Sequence, residues 1–256
     1  MKLNYTDQGS GNPIFLIHGL FGSLSNLGNL ARALVPSFRV ICVDLRNHGD
    51  SPHDRQMSLL SMAADIVELM DDLSIAHAFF VGHSLGGKVA MQLAMTNPDR
   101  VRSLVVADIA PVKYRDNNSI LINVLQELSK IDINNRKAAD LFLSELGIEL
   151  SVRAFLLKNL RRNAQGNFDI KINIEAIKAN YEDHLSTAPQ GQNFTGPCLF
   201  LKGENSDYIQ QQYLPVINSL FPQSSVKTIE SAGHWLHAEK PELFNQLVLQ
   251  FISENS

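Results

Sequence analysis

One pentapeptide, Gly82-His83-Ser84-Leu85-Gly86, restricts this chain more than any other stretch. An apolar run, Ala78-Phe79-Phe80-Val81, precedes it, and a helical pattern from Gly87 to Met95 follows. The order is strand, sharp turn, helix, with a serine at the apex. G-x-S-x-G in that context is a nucleophile elbow, a strained turn that lifts the serine Oγ off the end of a sheet. The flanking glycines answer a steric demand: a side chain at Gly82 or Gly86 would meet neighbouring backbone, and strained φ/ψ is cheapest for glycine.

A chain of 256 residues with 45% hydrophobic content can bury a large core, as one domain or as a domain carrying an insertion. The net charge is −4, with acids and bases mixed, so nothing favours nucleic acid or an anionic membrane as partner. The stretch Met1–Asp7 is polar, and no apolar run reaches the length of a membrane span. Neither a signal peptide nor a spanning helix is expected. Cys42 and Cys198 fall inside strand patterns and read as buried free thiols, which suits a cytoplasmic protein.

Strand and helix signals alternate, the pattern of a mostly parallel sheet with helices on both faces. Strands are expected at 2–6, 14–17, 40–43, 78–81 and 104–107, with helices over 24–34 and from an N-cap at Ser58 to Leu73. The alternation stops near Pro111. Up to about residue 189 the chain reads as four helices, over 119–128, 135–146, 152–160 and 174–181, with no strand pair. Strand–helix order then resumes with 198–201, 210–221, 226–229 and 241–252. The division is therefore a core from 1–110 and 190–256 and an all-helical insertion at 111–189, placed where a lid would lie over the elbow.

A serine hydroxyl needs an adjacent base, and the base needs a carboxylate to orient it. Behind an elbow of this kind the partners follow in the order acid, then histidine. His234, in Ser231-Ala232-Gly233-His234-Trp235 after the last strand, fits the histidine place. His237 heads the next helix; the pair could meet a metal by spacing, but no third ligand accompanies it. Two carboxylates compete as the acid. Asp108 stands at the C-terminal end of the strand that follows the elbow helix, where catalytic groups of a parallel sheet gather. Asp207 lies in the later loop Gly203–Ile209, next to Ser206. Asp108 is the stronger candidate, Asp207 the alternative. The oxyanion hole should use the N–H of Leu85 and that of Leu20, in the loop His18-Gly19-Leu20-Phe21-Gly22-Ser23. His18 reads as a hydrogen-bonding support of that loop.

Together with Asp44-Leu45-Arg46-Asn47-His48-Gly49-Asp50-Ser51-Pro52, Asp108-Ile109-Ala110-Pro111 and Gly233-His234-Trp235-Leu236-His237-Ala238, these motifs cover nearly the whole chain. The chain resembles the α/β-hydrolase superfamily, and within it the YbfF-like esterases and related mitochondrial abhydrolases. Arg46-Asn47-His48-Gly49 is the most specific stretch, since the superfamily more often has glycine where Asn47 stands. The resemblance implies a serine hydrolase of carboxylic esters or thioesters, acting through an acyl-enzyme. It also implies that Asp108 is the acid and that Ser206, in the superfamily's usual acid slot, joins the triad. Asp207 is the departure from the pattern. Ser84 argues against relatives that use an aspartate nucleophile. Arg161 and Arg162, in a basic cluster of the insertion, are candidates for the phosphates of an acyl-CoA. Other uses of the same triad are cofactor-free perhydrolysis or C–C bond hydrolysis, and a non-catalytic binding role is the remaining alternative. No metal or organic cofactor is expected. The partner is a small ester or thioester, and either a monomer or a dimer fits.

Overall fold

The computed structural model describes residues 1–115 and 118–256. Its main sheet has seven strands in the order β1-β3-β2-β4-β5-β8-β9. These are β1 (Tyr5–Gln8), β2 (Pro13–Ile17), β3 (Arg39–Val43), β4 (Ala78–His83), β5 (Val101–Ala107), β8 (Cys198–Gly203) and β9 (Ser224–Ile229). Only β1 runs antiparallel, against β3; the other pairs are parallel.

Side chains alternate across these strands with the period of two that a pleated sheet imposes. Phe15, Ile17, Ile41, Val43, Phe80, Leu104 and Val106 point to one face. There they pack with α2 (Leu59–Asp72) and α3 (Leu85–Thr96). Ile14, Leu16, Val40, Cys42, Phe79, Val81, Val105 and Ala107 point to the other, under α1 (Gly28–Leu34) and α10 (Pro241–Glu254). Both faces are covered, which is why the central strands are continuously apolar. Ser58 caps α2 as expected: its Oγ accepts the N–H of Ser61 at 3.1 Å. The two thiols are free and buried on β3 and β8.

Between β5 and β8 lie α4 (Ser119–Leu128), α5 (Arg136–Glu145), α6 (Leu150–Leu156), β6 (Leu160–Arg162), β7 (Phe168–Ile170) and α7 (Ile174–Asn180). The all-helical expectation for this stretch needs correction. The helix expected to reach residue 160 ends at Leu156, and Leu160 instead opens an antiparallel hairpin with β7. Its turn is built from Asn163, whose Oδ1 accepts the N–H groups of Gln165 and Asn167 at 3.1 and 3.0 Å. Gly166 supplies the left-handed residue of that turn, at φ +88°. Three-residue strands are too short to show a period of two, so the pattern passed for helix.

The segment is tied to the loop after β3. The Asn173 N–H donates to the Asn47 carbonyl at 3.0 Å, and Asn180 Nδ2 to the Arg55 carbonyl at 2.8 Å. Its far end is held from the elbow helix. Lys88 Nζ, buried in α3, donates to the Ser186 and Thr187 carbonyls at 2.7 and 2.6 Å and lies over the Tyr114 ring. Before β9 comes α8 (Leu214–Leu220), and before α10 the short α9 (Leu236–Glu239). No helix among the described residues is long and apolar enough to cross a membrane.

Candidate active site

Ser84 sits between β4 and α3 with φ +53° and ψ −118°, outside the usual regions for a side-chain-bearing residue. The strain persists because the surroundings leave no alternative. The Ser84 N–H is taken by the Ala107 carbonyl at 2.9 Å, and the turn is walled by backbone. A Cβ on Gly86 would fall 2.2 Å from the Ile17 oxygen, and one on Gly82 2.3 Å from the Gly86 oxygen. These contacts explain both glycines of the motif.

From that apex a continuous hydrogen-bonded chain runs across the ends of three strands. Ser84 Oγ donates to His234 Nε2 at 3.0 Å, and His234 Nδ1 donates to Asp108 Oδ2 at 2.8 Å. The tautomer follows from the partners: an ionised carboxylate can only accept, so the ring proton sits on Nδ1 and the Nε2 lone pair faces the serine. Asp108 is fully buried at the end of β5. It also accepts the Gly203 N–H at 2.9 Å and the hydroxyl of Ser206, so its charge is met by three donors. Asp207 is exposed, and among the described residues it makes no bond to His234. The structure therefore brings Ser84, His234, Asp108 and Ser206 together and leaves Asp207 at the rim.

Leu20 and Leu85 flank Ser84. Leu85 opens α3, so its N–H has no acceptor within the helix. No hydrogen bond of the Leu20 N–H is found among the described residues. The turn carrying Leu20 is closed by the Gly22 N–H on the Gly19 carbonyl at 3.0 Å. His18 supports it as expected: Nδ1 donates to the Gly19 carbonyl at 2.8 Å, while Nε2 accepts the Leu45 N–H at 3.1 Å. Its mate was missed in the sequence. His48 Nε2 accepts the Phe21 N–H at 3.2 Å, so each loop lends the other a histidine acceptor. Burial holds both rings neutral, pushing His18 down to about 4 and His48 to about 3. Asn47, where glycine is usual, has φ +65°, which asparagine tolerates better than other side chains.

Other supports were also not foreseen. His83 Nε2 donates to the His234 carbonyl at 2.8 Å, and burial drives this ring well below the ordinary histidine range. His237 lies against His83 with ring centroids 4.4 Å apart and is pushed down to about 4, again by burial. Glu239 accepts the N–H groups of Gly233 and Trp235 at 2.7 and 3.2 Å, fixing the loop that carries His234. Tyr208 stacks on the imidazole of His234 at 4.1 Å. His83, Glu239 and Tyr208 are ordinary polar or aromatic residues in sequence, with no spacing rule to single them out, and the spacing of His237 pointed only to a metal pair. No cluster of metal-ligating side chains occurs among the described residues.

A cavity of about 240 Å³ opens over Ser84. Leu20, Phe21, Leu121, Phe155, Tyr208 and Trp235 supply its apolar walls. Leu121 and Phe155 belong to α4 and α6, so the segment between β5 and β8 roofs the site. Past Phe155 and Trp235 the space continues into a groove of about 490 Å³ that reaches Lys158. Arg161 and Arg162 line neither space. They lie on β6, Arg161 3.6 Å from Asp50 and Arg162 over the Phe168 ring.

Sheet order, elbow and seryl–histidyl–aspartyl chain define a class, and the chain belongs to it: this is a member of the α/β-hydrolase family, whose fold description matches residues 12–241. Among its relatives is the sn-1-specific diacylglycerol lipase ABHD11 of Mus musculus, 40% identical over 94% of this chain and 80% of that protein. Esterase YbfF of Escherichia coli strain K12 is 37% identical over 99% of this chain and all of its own length (100%). A solved structure described as a marine microorganism esterase superposes with a TM-score of 0.93 at 39% identity, covering 98% of this chain and 99% of that one.

Proposed function

We propose that the protein hydrolyses carboxylic esters through an acyl-enzyme on Ser84. The observation that carries this reading is the uninterrupted line from Ser84 Oγ through His234 to buried Asp108. His234 Nε2 takes the hydroxyl proton as Oγ attacks the ester carbonyl, and Asp108 stabilises the imidazolium that forms. The N–H groups of Leu20 and Leu85 receive the developing oxyanion. His234 then returns its proton to the leaving alkoxide, the alcohol departs, and water repeats the cycle on the acyl-enzyme. Thioesters follow the same addition and belong to the proposed range. The relatives named esterase and diacylglycerol lipase support an ester as substrate.

The segment over the site acts in this reading as a lid that sets specificity. At 240 Å³ the cavity falls near the lower end of ligand pockets, roughly 300–1,000 Å³, so short acyl groups fill it. Longer chains must pass Phe155 and Trp235 into the outer groove. The test is hydrolysis of p-nitrophenyl esters from acetate to palmitate by wild type and Ser84→Ala. Turnover highest for short chains, absent in Ser84→Ala and abolished by fluorophosphonate labelling, is expected. Absence of turnover and of labelling in the wild type sinks the proposal.

A further inference from the structure

The turn that carries Leu20 holds a residue of the wrong type for its backbone. In the four residues Gly19–Gly22, Phe21 takes the third position at φ +60°. Turns with a left-handed third residue ordinarily place glycine or asparagine there, and a bulky side chain pays strain of order 1–3 kcal/mol. Phe21 is buried and forms a wall of the catalytic cavity, so its ring is needed where it is. Something else must hold the backbone.

Two bonds do so, one on each side of Phe21. Its N–H donates to His48 Nε2 from the loop after β3. Its carbonyl accepts from Asn159 Nδ2 at 2.8 Å. Asn159 lies at the junction of α6 and β6, within the roof of the site, 138 positions further along the chain. It is buried, and the same amide nitrogen donates to the Leu156 carbonyl at 3.2 Å. A nitrogen facing two carbonyl oxygens has its orientation settled, since only the NH₂ group can donate to both. The contact is thus a buried, oriented bond from the roof to the turn beside the nucleophile. Released from it, Phe21 can relax to negative φ, which opens the Gly22–Gly19 bond and turns the Leu20 N–H away.

We infer that Asn159 is a positioning residue for the oxyanion hole, the member by which the roofing segment holds the Leu20 turn in its working shape. The inference rests on the hydrolase reading and on Leu20 as a donor. Asn159 touches neither substrate nor the serine; it acts through Phe21. Losing a whole oxyanion donor costs about 10²–10³ in kcat, and loosening one of two supports should cost a smaller share, at least about tenfold.

The experiment compares wild type with Asn159→Leu, which keeps similar bulk and removes the donor. Four readouts are taken: kcat and KM for p-nitrophenyl esters from acetate to octanoate, the Ki of butylboronic acid, whose adduct with Ser84 places an oxygen in the oxyanion hole, and the Ki of butyramide as a ground-state ligand. Expected are a kcat loss of at least about tenfold that is equal for all chain lengths, a KM within twofold, a boronic acid Ki raised in step with kcat, and an unchanged butyramide Ki. A role in packing alone would shift KM and the chain-length profile instead. That result, or a kcat within twofold of wild type, overturns the inference. Should Asn159→Leu not fold, Asn159→Ser carries the same comparison. In the Asn159→Leu background, Phe21→Asn, which accepts positive φ, should restore part of the boronic acid affinity. Wild-type turnover and Ser84 labelling are read first: their failure refutes the hydrolase reading, whereas an active wild type with an unaffected variant refutes only the role of Asn159.

Discussion

Acidifying the protein from pH 7 to pH 5 should remove about 5–6 kcal/mol of folding free energy, a figure worked from three buried histidines, with His83 adding in the same direction. Burial lowers His18 to about 4, His48 to about 3 and His237 to about 4, and holds His83 well below its ordinary value. In the unfolded chain each returns to about 6.5. The sign follows: a base whose folded pKa is depressed gains its proton first in the unfolded state. Its contribution is complete above 6.5 and declines as the pH falls toward the folded value. At pH 5 the unfolded rings are about 97% protonated while the folded ones of His18, His48 and His237 stay almost neutral, so each of these three loses a little under about 2 kcal/mol between pH 7 and 5. The total rivals the 5–15 kcal/mol that holds a typical domain together. The assay is urea unfolding at pH 7, 6 and 5, followed by the fluorescence of the single tryptophan, Trp235. The slope near pH 5 should approach at least three protons, and His237→Phe should lower it by about one. A loss below about 2 kcal/mol across the window, one histidine's worth, would refute the reasoning.

Asp108→Asn should lower kcat at least about a hundredfold, as expected for loss of the orienting carboxylate, while Asp207→Asn stays within a few-fold; steady-state kinetics on a short ester separate the two. Gly86→Ala places a methyl 2.2 Å from the Ile17 oxygen and 2.5 Å from the His18 oxygen, with no flexible side chain to yield. Strain of about 3 kcal/mol should lower the midpoint of thermal unfolding by at least about 6 °C, read by circular dichroism. The double variant Arg161→Ala, Arg162→Ala should leave the ratio of acyl-CoA to neutral-ester turnover unchanged, because neither side chain borders the catalytic cavity. A selective loss on acyl-CoA would return these residues to the site.

The serine and histidine of the candidate site were legible because tight geometry left a local signature: two glycines that backbone forbids to grow, and a histidine loop after the last strand. Asp108 was legible from topology, since a residue ending the strand beside the elbow must face the same edge. The hairpin β6–β7 was not, because three residues per strand cannot display alternation. The setting of Arg161 and Arg162 was hidden for a related reason: charge density along the chain says nothing of which surface a turn will present. His48, Asn159 and His83 were invisible in another way. Each acts on a backbone group far away in sequence, through a bond that only the finished fold creates.

The placement of Asp108 has a consequence for how this protein can change. His83 and Ala107 are paired in register, so Ser84 and Asp108 stand side by side just past the ends of neighbouring strands, which a sheet spaces roughly 4.8 Å apart. The loop from Glu204 to Tyr213, relieved of carrying the carboxylate, keeps only the Ser206 hydroxyl as a fixed obligation to it, beside the Gly203 N–H at the end of β8. Tyr208 stacks on His234 and Ile209 is buried, but the exposed Asp207 and Gln212 are open to substitution and drift. They border a separate groove of about 630 Å³ that reaches His234 from the side of Tyr208. A library confined to that loop would vary what approaches the histidine while inheriting an intact triad. The molecule thus keeps its tolerance for change beside the reacting atoms.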